Sequence, residues 1–463
     1  MKKFLILLMV MALSTSIFVG CTSNDNSSDS NEIKTDVLVI GGGGAGLVSA
    51  ITAAQEGANV ILIEKLPMLG GNTITSATGL TASDTNLHEE AEVPFTVQDH
   101  IDRTMTMGNN LPNEELVTIL AEKSNDAYEW LLSLGLSYKL NVDEPWWIVP
   151  TEGHFGALLL QAYQQEAAKY DNLEIKLNTE GKELIIEDGK IVGAKATDKD
   201  GNEVSIKADA VILATGGFGN AQDLIGEYNS KFANSHNVMS TVGPTGDGFR
   251  WAIAAGADTR DMEFHQMRAL GRPGYWIRES VISQEGGGVL LNKEGQRFVN
   301  ETLKPIDLVP HVLGQTDRVG YVIFDSEVFE TSNGAAAVNR GKMIQADTIE
   351  ELALELGLDP AIVAATIEEL NNGVDEFERS TTGKVTEGPF YGVEVLPSSH
   401  YTMAGVAFNE NAQAIDKDGN PIAGLYVAGE ISGGLYGSGR VAGNNTTENI
   451  VFGKIAGKHA AGK

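Results

Sequence analysis

Apolar residues fall in two rhythms along this chain. Val37-Leu38-Val39-Ile40 is an unbroken apolar run, and Ile61-Leu62-Ile63 is a second. Short runs without polar alternation predict strands covered on both faces, as in a parallel sheet. Between them Ala45 to Gln55 has helical character, so Thr35 to Glu64 reads β-α-β. Asn113 to Leu134 carries Leu116, Ile119, Leu120, Ala127, Leu131 and Leu134 at helical spacing, which predicts a core-facing helix. Gly156 to Lys169 predicts another. From Glu174 to Lys207, short strands are separated by Asp188-Gly189 and Asp200-Gly201, hairpin turn pairs that predict a β-meander. Asp209 to Ala214 is apolar again and suits a return into the parallel sheet.

The character changes near Val242. Thr245-Gly246-Asp247-Gly248 opens a helix, and an α+β stretch follows. Asp347 to Asn371 predicts a charged, solvated helical segment. From Phe390 the chain turns glycine-rich and apolar, Leu425 to Glu430 predicts a strand ending in an acid, and Asn444 to Ala461 predicts a closing helix. The expected fold class is α/β. A doubly wound, Rossmann-like domain with a β-meander (35–240 and 390–463) is interrupted by an α+β capping domain (241–389). Trp146 and Trp147 fall in an irregular segment and are expected to pack.

Chemistry enters at the first turn. Gly41-x-Gly43-x-x-Gly46 joins the first strand to the first helix, and Glu64 ends the second strand. In this setting Gly41 permits the tight turn, Gly43 lets backbone approach a pyrophosphate, and Gly46 lets helix and strand pack closely. The helix N-terminus favours phosphate, and Glu64 can accept both ribose hydroxyls of an adenosine.

Composition narrows the rest. The chain has 463 residues, 42% of them hydrophobic, enough for two or three domains with a sizeable core. A net charge of −30 argues against nucleic acid as a partner. Cys21 is the only cysteine, so the sequence holds no disulfide, cysteine-ligated iron–sulfur cluster or CxxCH haem attachment. Redox chemistry would need a bound organic cofactor; no metal site is expected. Lys2 and Lys3 precede an apolar run from Phe4 to Val19, followed by Gly20-Cys21. This resembles a bacterial lipoprotein signal (1–20), with Cys21 lipidated and a polar tether (21–34) behind it. The expected location is the outer face of the cell membrane or the cell surface.

The motifs GGGGAG, EK with GGNT, ATGG, TGDG, GQRFVNE, HYTMAGV, and LYVAGE with GGLYGSGRVAGNN occur in this order from Thr35 onward. In combination they resemble the fumarate reductase/succinate dehydrogenase flavoprotein family, nearest its flavocytochrome c fumarate reductases and urocanate reductases. The resemblance implies an FAD-binding domain with noncovalent FAD. It places cofactor contacts at Gly41, Gly43, Gly44, Ala45, Gly46, Glu64, Lys65, Gly71, Asn72, Thr73, Gly79, Thr215, Gly216, Asp247, Glu430, Arg440, Asn444 and Asn445. His154 is the one candidate for a covalent flavin link.

The resemblance makes Arg440 the substrate-carboxylate arginine, since a guanidinium fork suits a carboxylate. Departures from the fumarate pattern accompany it. Tyr401 stands where the family has one histidine and Arg268 where it has the other, with His265 nearby. Lys304-Pro305 replaces the proton-donating arginine, and Val281 and Gln284 replace a Glu-x-x-Arg pair. Reduction of the C=C bond of an α,β-unsaturated carboxylate other than simple fumarate is therefore expected, with an aryl acrylate as an example. The catalytic candidates are Arg440, Tyr401, Arg268, Lys304 and Tyr436, and a buried Lys or Tyr beside arginines is expected to have a lowered pKa. Electrons would come from an external donor (a surface flavoprotein, a cytochrome or a quinol system), as in a terminal reductase of anaerobic respiration. Three alternatives are a 3-ketosteroid dehydrogenase-like flavoenzyme, suggested by Tyr401 and Tyr436, a succinate dehydrogenase running in the oxidative direction, and a non-catalytic flavin-binding lipoprotein.

Overall fold

A computed structural model describes residues 32–462, except 77–78, 234, 236–240, 273–274, 278–280, 283–286, 330–337, 340 and 380–382. The leader, Cys21, most of the tether and Gln284 lie outside the described residues. No described helix is long and apolar enough to cross a membrane.

The first apolar runs are strands Glu32–Ile40 and Val60–Ile63, joined through helix Gly44–Gln55. They pair in parallel, Ile40 beside Ile63, in a sheet that continues on one side to Leu173–Lys176. On the other side come Glu203–Leu213 and then Pro421–Val427, all parallel. Val37, Leu38 and Val39 are fully buried, as an unbroken apolar run in a doubly covered sheet must be. The meander strands Glu180–Glu187 and Lys190–Thr197 pair antiparallel and attach to Glu203–Leu213. The last meander strand and the returning parallel strand are thus one element, Glu203–Leu213.

The second sheet is antiparallel, in the order Tyr275–Trp276, His265–Arg272, Phe390–Thr402, Gly320–Phe324, Val289–Leu291, with Ile344–Ala346 also on Phe390–Thr402. Strand Phe390–Thr402 belongs to this sheet by pairing, and the chain rejoins the parallel sheet at Gln413–Ile415 and Pro421–Val427.

Two expected helices are each split. Glu114–Glu122 and Ser124–Ser133 divide at Lys123. Ile349–Leu356 ends at Gly357 (φ 76°), and Pro360–Asn371 restarts behind Asp359, whose side chain accepts from Ala361 N and Ile362 N. Helix Val97–Met107 starts on a reciprocal cap, in which Thr96 accepts from Asp99 N and Asp99 accepts from Thr96 N. The closing helix, Asn444–Ala460, lies against Gly44–Gln55 at glycine contacts: a Cβ on Gly457 would stand 2.4 Å from Ser49 O. That close crossing brings the N-termini of both helices to the same end of the sheet.

Candidate functional site

The carboxyl ends of the parallel strands open onto a cavity of about 490 Å³, where doubly wound sheets bind ligands. Ile40, Ile63, Ala214 and Ala428 mark the four strand ends in its wall. The glycine turn forms one side. Gly41 has φ 113°, and a Cβ there would stand 2.3 Å from Ala214 O. A Cβ on Gly46 would stand 1.9 Å from Gly41 O, so this glycine serves packing. Gly43 differs: its Cβ would meet only Gly70 O, at 4.0 Å, and otherwise enter open space in the cavity. Gly44 N–H donates to Thr73 Oγ1 (3.0 Å), which ties the turn to the GGNT loop.

Glu64 lines this end, its Oε2 accepting from Gly42 N (2.7 Å) and its Oε1 from Leu66 N (2.8 Å). Each oxygen keeps a second lone pair for a ligand hydroxyl. Lys65 Nζ reaches Asp247 Oδ2 (2.9 Å) and Thr245 Oγ1 (2.6 Å). Burial pushes the Asp247 carboxyl up, but Lys65 and Thr245 outweigh it and leave the group below the usual range. Further along, Asn72 Nδ2 donates to Glu430 Oε2 (3.3 Å), and Thr402 N donates to Glu430 Oε1 (3.0 Å). Burial holds Glu430 above the usual carboxylate range despite these donors. Gly71, Ala45, Thr215, Gly216 and Asn445 also line the cavity.

Beyond the N-terminus of the closing helix the lining changes. Arg440, Arg268, Gln266, His400 and Tyr401 meet Arg103, Met107, Trp146 and Trp147. Arg440 donates from Nη1 to Asn445 Oδ1 (2.7 Å) and from Nη2 to Gln266 Oε1 (3.0 Å). Its Cζ lies 4.7 Å from the Tyr401 ring centroid, and its buried Nε has no hydrogen-bond partner among the described residues. Tyr401 faces Gln266 across the antiparallel pair of its sheet. Burial, with Arg440 and Arg268 adding to it, lowers the His400 imidazole to about 3, so it is neutral.

Several expected residues stand elsewhere. Lys304 is exposed at the start of helix Pro305–Leu313 and does not line the cavity. The motif before it is structural: Arg297 pairs with fully buried Glu301 (Nη2 to Oε2, 2.7 Å) and with Asp375 (Nη1 to Oδ1, 2.9 Å). Tyr436 is buried behind Tyr401, its hydroxyl donating to Glu448 Oε2 (2.7 Å). The Asn444 side chain turns inward, with His100 Nε2 2.9 Å from its Oδ1 and its Nδ2 donating to Thr104 Oγ1 (3.0 Å). Gly79 packs against Ile148 O, His154 is exposed, and His265 is enclosed by Phe218 and Phe232. Trp146 and Trp147, expected to pack, line the cavity, and Arg103 lies over the Trp146 ring at 3.1 Å. The expected lowering of a tyrosine pKa is reversed. Burial dominates, Glu448 and Glu430 reinforce it, and Tyr401 is raised well above its usual value. Among the described residues no cluster of three or more His, Cys, Asp or Glu side chains could hold a metal ion.

The comparisons agree with this geometry. The FAD binding domain family model matches residues 36–446. A probable fumarate reductase of Shewanella frigidimarina is 33% identical over 445 residues, 92% of this chain and 75% of that protein. A urocanate reductase of Eggerthella lenta is 32% identical over 453 residues, 92% of this chain and 74% of that protein. The open conformation of a flavocytochrome c3 fumarate reductase superposes with a TM-score of 0.88 at 31% identity, over 94% of this chain and 79% of that one. The chain belongs to the FAD-binding family of fumarate reductase flavoproteins, and it is an FAD-dependent oxidoreductase. The residues present fit that cofactor: the open face at Gly43, the acceptors of Glu64 and the helix N-terminus at Asn445 share one cavity.

Proposed function

We propose that this oxidoreductase reduces the C=C bond of an α,β-unsaturated monocarboxylate with an aromatic or long apolar β-substituent. The observation that carries the reading is the setting of Arg440. Each terminal nitrogen donates to a neutral amide oxygen, no carboxylate among the described residues pairs with the guanidinium, and its buried Nε has no hydrogen-bond partner among them. A substrate carboxylate matches that fork. Trp146, Trp147 and Met107 give the same cavity apolar lining, with Arg103 over the Trp146 ring, and that lining suits an aromatic or apolar β-substituent.

When bound, FAD supplies the hydride that the β-carbon accepts. Glu64, Lys65, Asp247, Asn72 and the turn at Gly43 would hold it. Arg440 binds the carboxylate and stabilises the negative charge that builds on it in the transition state. The α-carbon then needs a proton. His400 is neutral, and the Tyr401 hydroxyl is committed to Glu448 (2.9 Å). Arg268 and Arg103 remain as donors lining the cavity, and Arg268, on the same strand as Gln266, is assigned the step: a guanidinium N–H breaks, the α C–H forms, and water restores the proton.

Electrons would reach the protein from a separate carrier: a surface flavoprotein, a cytochrome or a quinol system. Lipid attached at Cys21 would hold it at the outer face of the membrane, as a terminal reductase of anaerobic respiration. The ketosteroid alternative loses support, because Tyr436 does not line the cavity. Steady-state reduction of cinnamate, crotonate, urocanate and fumarate tests the reading. Preference for cinnamate in kcat/KM supports it, and preference for fumarate overturns it.

A further inference from the structure

We infer that Glu448 is a positioning residue that holds the Tyr401 ring under the Arg440 guanidinium, and so sets where Arg440 presents its fork. This rests on the reading of Arg440 as the carboxylate partner. Glu448 is fully buried and lies one turn into the closing helix, on the face it shares with Asn444 and Thr447. Its Oε2 accepts from both Tyr401 (2.9 Å) and Tyr436 (2.7 Å), and its Oε1 accepts from Ser432 Oγ (2.9 Å). The two rings meet edge to face, with centroids 6.0 Å apart at 75°. Tyr401 therefore cannot turn without breaking a hydrogen bond and an aromatic contact.

The consequence reaches the cavity through the ring. A phenol that donates to a carboxyl gains electron density on its face, which strengthens its hold on a cation above it. Arg440 is that cation, 4.7 Å from the centroid. Asn445, three residues before Glu448, holds Arg440 directly. The closing helix thus fixes this arginine twice, once through an amide and once through Glu448 and Tyr401. A carboxyl with two tyrosine donors, a serine hydroxyl that it shares with Gly429 O (2.7 Å), and no exposed surface is arranged to hold partners still, rather than to exchange protons with water.

The test uses the full FAD-loaded chain and Glu448→Gln, Tyr401→Phe and the double variant. Glutamine can accept both tyrosines on Oε1 and donate to Ser432, so the fold has a matching set of partners. Two readouts are taken: the Kd of 3-phenylpropanoate from the flavin difference spectrum, without turnover, and KM and kcat for cinnamate. Each single variant should raise Kd and KM roughly tenfold, with any fall in kcat smaller than that rise and the pH profile of kcat unchanged. The double variant should be no weaker than the weaker single one. Unchanged Kd in Glu448→Gln overturns the inference, as do additive effects. An unchanged KM with a lower kcat and an altered pH profile also overturns it, since that marks a proton relay. Should Glu448→Gln lose FAD, Tyr401→Phe breaks the same link and is judged by the same outcomes. Wild-type protein that binds 3-phenylpropanoate but reduces no acid contradicts the proposed reaction alone. Wild-type protein that binds neither 3-phenylpropanoate nor cinnamate contradicts both.

Discussion

The guanidinium of Arg440 lies over the face of Tyr401, Cζ to centroid 4.7 Å, with both terminal nitrogens on neutral amide oxygens. Its charge is positioned by an aromatic face and two amides, without a hydrogen-bonded acid among the described residues to neutralise it. Arg440→Lys keeps a charge but loses the planar fork and the stacking. It should lower kcat/KM by roughly 10²- to 10³-fold. FAD content, read from the ratio of flavin to protein absorbance, should stay within about twofold, because the other cofactor contacts remain. Loss of FAD in parallel with activity would place Arg440 on the cofactor instead.

Two glycines in one turn should fail differently. A Cβ on Gly46 would stand 1.9 Å from Gly41 O, a backbone atom that cannot yield cheaply. Gly46→Ala should destabilise the fold by roughly 1–3 kcal/mol or more. Gly43 has φ −76°, which alanine adopts freely, and its Cβ would enter the cavity. Gly43→Ala should melt within a few degrees of the apo wild type, yet bind FAD more weakly by tenfold or more, on the order expected where a ligand needs close backbone approach. Thermal melts and FAD titration separate the two.

Trp146 and Trp147 bear on substrate choice. Trp146→Ala removes an aromatic ring from the cavity lining, and with it the ring beneath Arg103. KM for cinnamate should rise roughly tenfold while KM for crotonate changes little, since only the aryl acid uses that face. Equal effects on both acids would mean that Trp146 acts on packing alone.

Stability should fall with acid. Burial lowers His265 to about 4, and His100 to about 4 against a smaller opposing effect from Asn444. The unfolded chain takes protons near the ordinary histidine value, and the folded chain refuses them until about 4. Their contribution is therefore complete above about pH 6.5 and is lost as pH falls from there toward 4, roughly 1.4 kcal/mol per unit for each histidine. Melting temperatures between pH 7 and 5 should drop with a slope that is shallower in His265→Leu. An unchanged slope would remove His265 from this account.

What the sequence disclosed follows from what is local. The β-α-β unit, the turn at Gly41, the packing of Gly46 and the place of Glu64 beside the glycine turn depend on residues near one another in the chain, and they stand where the pattern put them. Arg440 and Tyr401 were legible through motifs. Glu448 was not: its meaning arises only when strand Phe390–Thr402 and the Ser432–Tyr436 segment meet the closing helix. Helical phase, with Asn444, Thr447 and Glu448 on one buried face, could have marked it and could have turned Asn444 inward. His400 lay beside Tyr401 in a motif already singled out. Arg103 and Trp146 carry no motif, and only the tertiary fold brings them together over the cavity. Lys304 shows the opposite error, in that proximity to a motif in sequence placed it near a site that its helix start leaves outside.

The most direct measurement is anaerobic reoxidation of the dithionite-reduced, FAD-loaded protein by cinnamate, with fumarate in parallel, followed by flavin absorbance. The account predicts fast recovery with cinnamate, slow recovery with fumarate, and loss of the cinnamate response in Arg440→Lys. Recovery that is fastest with fumarate, or that survives unchanged in Arg440→Lys, would contradict it.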